Sequence, residues 1–165
     1  VHASIVDRFT SVFNQAYTRF LDLQKAEAQA RESQIQLALE RVRARTMAMQ
    51  RSDELEQVAT LLFQQVSELG IKTWTTGFNV WLKDDKGYED WITNPEGGFV
   101  EPYIVDATLP IFREVQEKKL SGIEFYVQFE EGEQLKETYI QLGKLATKQF
   151  GKLLTDGFEY PSQQY

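Results

Sequence analysis

The chain has 165 residues, 42% apolar and 26% charged, enough for one globular domain with an appendage. There is no cysteine, which excludes disulfides and thiolate metal sites and suits a reducing, cytoplasmic setting. The net charge is −7 and uneven: residues 1–51 carry eight Lys/Arg against five Asp/Glu, residues 52–165 ten against twenty. So acidic a second part repels phosphate backbones and argues against nucleic-acid binding. No apolar run is long enough to span a membrane, and the start, "VHASIVDRF", lacks a signal-peptide layout. Without an initiator Met, the chain reads as a fragment of something longer.

From Val6 to Met49 there is no Pro or Gly, and helix formers dominate. Phe9, Phe13, Ala16, Phe20 and Leu23 step by four and three, and the pattern resumes as Ile35, Leu39, Val42, Thr46 and Met49. This is an a/d heptad seam. The two blocks are out of phase by one residue, and the polar "QKAEAQARESQ" between them is expected to absorb the slip. The 35–49 block is read as an inter-chain seam that makes a homodimer; the alternative folds it back onto the chain's own globular part. Residues 6–23, with three Phe and Tyr17, are bulky for a two-stranded coil and suit a helix packed on a domain. Arg41, Arg43 and Arg45 fan over the outer face, either solvated or docked on acidic surface.

Composition changes near residue 51, which sets the boundary between an N-terminal helix (1–51) and a globular module (52–165). Ser52 is the expected N-cap of a helix over 53–69, with Gly70 at its C-terminal end. "TWTTGFNVWL" alternates, placing Trp74, Thr76, Phe78, Val80 and Leu82 on one face; "DDKG" turns, and "YEDWIT" completes a hairpin over 73–93. "FVEPYIVDAT" is extended. Thr108 is expected to cap a helix through "LPIFREVQEKKL". "IEFYVQF" reads as a strand with Ile123, Phe125, Val127 and Phe129 inward. "GEQLKETYIQLGKLATKQF" reads as a helix, and "GKLLTDGFEYPSQQY" as loop. The fold class is α+β with an antiparallel sheet.

Catalytic chemistry is sparse. The single His is at position 2, and no P-loop, dinucleotide fingerprint or nucleophile elbow is present. "EEGE" at 130–133 reads as a solvated turn, and "DDKG" fails the ligand alternation of a calcium loop. Glu89 and Asp90, adjacent on a strand, point to opposite faces and cannot act together. The expectation is a non-enzymatic chain without metal or cofactor. The hairpin aromatics Trp74, Phe78, Tyr88 and Trp91 read first as core. The alternative reading makes them, with Asn79, the wall of a pocket for an unidentified small molecule.

The stretch "VFNQAYTRFLDLQKAEAQARESQIQLALERVRARTMAMQRSDELEQVATLLFQQVSELGI", residues 12–71, resembles a segment of Bacteroidetes-type sensor histidine kinases and nucleotide cyclases. There a dimerising signalling helix bearing "LERVRARxMAM" joins GAF-like sensor modules. The likeness is looser over 72–165, at "GFNVWL", "PIFREVQE" and "FEYPSQQY". The resemblance implies a GAF-like module at 52–165, incomplete at its C-terminal end, and a remnant of a preceding module's closing helix at 1–23. It also implies a two-component-type role in which a dimeric helix relays the module's state to an output domain. No cyclic-nucleotide NKFDE-type motif or bilin-attachment Cys is present. A helix of the 7–23 type would cover the module's sheet, so residues 7–23 are expected to dock there, from the same chain or a partner, with Phe9, Phe13 and Phe20 buried. An oligomerisation scaffold with no ligand is the second reading.

Overall fold

The computed structural model describes residues 2–145 and 163–164. The chain is α+β, and it divides between Ala48 and Met49 into two compact units.

The first unit is one helix, α1, His2–Met47, 46 residues and roughly 70 Å long at 1.5 Å per residue. It runs through the polar middle without a break, and no irregularity is needed there. A straight helix turns every 3.6 residues and drifts about 20° per heptad, so after four heptads it has slipped by nearly one residue. Phe13 and Val42 are about eight full turns apart, so both blocks share one side; Met49, expected in the seam, lies past the end of α1 in the second unit. The apparent slip between the blocks is this drift. The less exposed residues of the second block, Ile35, Ala38, Val42 and Arg45, fall on that side. Leu39 is 51% exposed, and Thr46 is exposed with its hydroxyl donating to the Val42 carbonyl. Phe9, Phe13 and Phe20 are all exposed rather than buried. Their flanking polar groups bond locally instead, as when Thr10 donates to the Val6 carbonyl at 2.9 Å.

The second unit begins at "QRSDEL". Arg51 is extended, a 3₁₀ turn follows at Ser52–Glu54, and α2 runs Leu55–Glu68. Ser52 makes no capping hydrogen bond. The expected cap is displaced by charge: the Arg51 guanidinium grips the Asp53 carboxylate at 2.6 and 3.0 Å, and Glu54 Oε1 accepts the Gln50 N–H. The C-terminal end is as expected. Gly70, at φ 76°, donates to the Ser67 carbonyl and Ile71 to that of Val66, the paired bonds of a Schellman motif.

Three strands follow, β1 Gly77–Trp81, β2 Gly87–Ile92 and β3 Tyr103–Asp106, antiparallel in the order β1-β2-β3. Asp85, at φ 55°, makes the hairpin turn, and α3 (Arg113–Leu120) clasps it: Lys119 pairs with the Asp85 carboxylate and Gln116 Nε2 donates to the Asp85 carbonyl at 2.6 Å. The β1 parity is the reverse of that expected. Trp81 packs on the core, while Val80 and Leu82 are exposed. The strand starts only at Gly77, so Trp74 lies outside its alternation, and the register Trp81↔Tyr88 lets two large rings meet at 5.1 Å.

Thr108 does not cap α3. Its N–H and hydroxyl both bond Asp106 Oδ1, at 2.9 and 2.6 Å, and the helix starts at Arg113. "IEFYVQF" is not a strand, and its parity is inverted. Ile123, Phe125, Val127 and Phe129 are exposed, whereas Tyr126 and Gln128 are half-buried. Tyr126 is drawn back onto α3, under Lys118 at 5.2 Å, and the apolar side chains point away. A short strand, β4, Glu130–Glu131, follows this segment and pairs with β5, Gln163–Gln164, in the tail expected to be loop. α4 runs Gly132–Leu145; the expected helix over 146–150 and the tail over 151–162 lie outside the described residues.

Leu135 and Tyr139 of α4 close over Tyr88, Tyr103 and Val105 of the sheet, with Val100, Ala107 and Phe112 completing the core. Val58 and Ala59 of α2, which lies against β1 and β2, are wholly buried outside this cluster.

Candidate functional site

Cross-strand register sorts the candidate residues. Phe78 is opposite Trp91, Asn79 opposite Asp90, and Trp81 opposite Tyr88. In a pleated sheet neighbouring rows face opposite ways. Asn79 and Tyr88 therefore lie on the face that carries the core, although Asn79 itself is exposed; Trp74 packs on the same core, its ring meeting Tyr139 edge-on at 5.4 Å. Phe78 and Trp91 lie on the other face, where Trp91 Nε1 donates to Glu89 at 2.8 Å and its ring tilts against Phe99. The five side chains form two groups rather than one wall.

The core face holds a polar cluster that sequence reasoning missed. Asp90 is 9% exposed. β2 pairs it with Tyr103 on β3, whose hydroxyl donates to Asp90 Oδ2 at 2.8 Å. Burial pushes the Asp90 carboxyl up to about 6, against the opposing pull of the Tyr103 hydrogen bond. Burial also raises the Tyr103 and Tyr88 phenols well above their usual range, and the Asp90 charge adds to both. A second buried carboxylate, Glu130, accepts from Gln128 Nε2 at 2.6 Å, and after burial its charge helps lift Tyr139 to about 12. On α4 the buried Thr138 hydroxyl has no hydrogen-bond partner among the described residues. The inward aspect of Asp90 was legible in part, since it must oppose Glu89. Its burial was not, because a carboxylate on an alternating strand reads as the wet side.

The arrangement sets a buried carboxyl that takes a proton below about pH 6 against a phenol that donates to it. Among the described residues, no group of His, Asp and Glu is placed to hold a metal ion, and no helix is long and apolar enough to cross a membrane. Comparison with protein-family models, curated proteins and solved structures finds no match.

Proposed function

We propose that this chain is a non-catalytic regulatory part of a bacterial signal-transduction protein. In this reading α1 joins two copies into a homodimer, and the second unit is a GAF-like sensor module whose state α1 relays to an output domain. The observation that carries it is α1 itself: a 46-residue helix forming a unit of its own, with a long apolar stripe left in water. Such a helix draws most of its stability from packing, and its N-terminal apolar stripe, Phe9 to Leu23, has none in the single chain. The likeness of residues 12–71 to signalling helices supports the role, and the α+β order of the second unit supports the module.

The sensor half rests on the core face. Asp90, Tyr88 and Tyr103 put a proton-holding cluster beneath α4, where a small molecule or a proton would change α4 packing. The separation of Phe78 and Trp91 from Asn79 and Tyr88 favours a second reading, an oligomerisation module with no ligand. Light scattering tests the shared part: a dimer is expected, and a monomer at all concentrations removes the paired helix. A panel of nucleotides and amino acids separates the readings. A rise in the melting temperature of the second unit supports a sensor; a flat panel supports the scaffold.

A further inference from the structure

The uncovered face of α1 is not uniform. Between Ile5 and Leu23 it is aromatic: Phe9 is 73% exposed, Phe13 68%, Tyr17 54% and Phe20 52%. Phe13 and Tyr17 stack nearly parallel at 6.2 Å, which presents a flat plate. The opposite side of the same stretch is polar, with Asp7, Ser11, Asn14, Thr18 and Asp22. Scattered exposed apolar residues are ordinary, but a continuous aromatic stripe is not. The four rings alone expose on the order of 500 Å². With Val6, Val12 and Leu23 the stripe approaches the roughly 800 Å² per partner of a standard interface. Further along the same side, Ala38 is buried and Ile35 and Val42 are half-buried. Leu37, Leu39 and Met47 are exposed too, but on other faces of α1; on this side the most exposed apolar surface is the 5–23 stripe.

We infer that a second copy of this chain covers residues 5–23, running antiparallel, with Phe13 seated against the partner's Ala16. This rests on the reading that α1 joins copies, and it moves the joint from the 35–49 seam to 5–23. Orientation follows from side-chain size. In a parallel pair each layer holds one residue twice, so Phe9, Phe13 and Phe20 layers are too wide and the Ala16 layer is hollow. An antiparallel pair sets a positions against d positions. Phe13 then meets the partner's Ala16, Val6 the partner's Leu23, and Phe9 the partner's Phe20, with the two-fold axis between Asn14 and Gln15. Such a contact is isologous and closes at two copies. It sets the two 35–49 segments on opposite sides of the joint, so the module's state would be relayed as strength of pairing rather than as a shift along a parallel seam.

The chain has no cysteine, so introduced thiols report without background. Val6→Cys chains and Leu23→Cys chains, distinguishable by a tag, are mixed and mildly oxidised. The mixed Val6–Leu23 dimer is expected to dominate, with little self-linked product of either. Predominant self-linking of Val6→Cys chains would show a parallel pair and overturn the antiparallel joint while the paired helix stands. A dimeric mass with no disulfide would place the joint elsewhere and overturn it too. A monomeric mass would remove both. Phe13→Asp, at an exposed site, is expected to yield monomers whose second unit still unfolds cooperatively; a persisting dimer overturns the proposal.

Discussion

Asp90 gives the sharpest test of the core. Its carboxyl rises from an ordinary 3.8 to about 6, a displacement of about 2 units, which at 1.36 kcal/mol each is about 3 kcal/mol. A folded value above the unfolded one means that the folded chain binds the extra proton. The associated stability is whole below about pH 4 and is lost as pH rises through about 6. At neutral pH the fold therefore carries an ionised buried carboxylate held chiefly by Tyr103. In Asp90→Asn the ionisation is gone, but the amide still accepts the Tyr103 hydroxyl. Urea unfolding followed by Trp fluorescence at pH 4.5 to 8 is expected to show the variant gaining on wild type across the range, by up to about 3 kcal/mol less about 1 for the imperfect amide. Other carboxylates cancel in the difference. Tyr103→Phe should do the opposite, costing about 1–2 kcal/mol more at pH 8 than at pH 5, because the bond it removes favours the charged form. A variant-minus-wild-type difference that is flat with pH would refute the burial of Asp90.

Leu135, 1% exposed, anchors α4 on the sheet, and Leu135→Ala is expected to cost about 2–5 kcal/mol in the same assay. Phe125, 83% exposed, is its counterpart: Phe125→Ser should stay within about 0.5 kcal/mol of wild type, and a core-sized loss would restore the inward strand at 123–129. Gly70→Ala places a side chain at φ 76° with nothing within 4 Å, so the loss is conformational, about 1 kcal/mol.

How far the fold could be read depended on whether a local signal decided each element. α1, the Gly70 stop, the hairpin and β3 follow from propensity, glycine and alternation, which act over a few residues. What failed turned on which partner a side chain takes, near or far along the chain, which propensity and periodicity do not name. Ser52 lost its capping role to the Arg51–Asp53 pair, and Thr108 to Asp106. The 123–129 segment has flawless alternation but faces the wrong way, because Tyr126 is held by Lys118 on α3, and periodicity carries no sign. The slip between the α1 blocks came from counting by 3.5 what a straight helix counts by 3.6. In the candidate site, Trp74, Asn79 and Tyr88 were legible as one group only after register placed Phe78 and Trp91 behind the sheet. Asp90 and Tyr103 came together through β2–β3 pairing, which no spacing announces.

The central claim is that pairing along α1 and the state of the second unit are linked. Amide hydrogen exchange over residues 55–106, in wild type and in Phe9→Asp/Phe13→Asp, measures that link directly. The substitutions lie in the first unit and alter no side chain of the second. Coupling predicts that loss of pairing changes protection in α2, β2 or β3. Identical exchange in a demonstrated dimer and a demonstrated monomer would mean that the helix only assembles copies, and the relay would be contradicted.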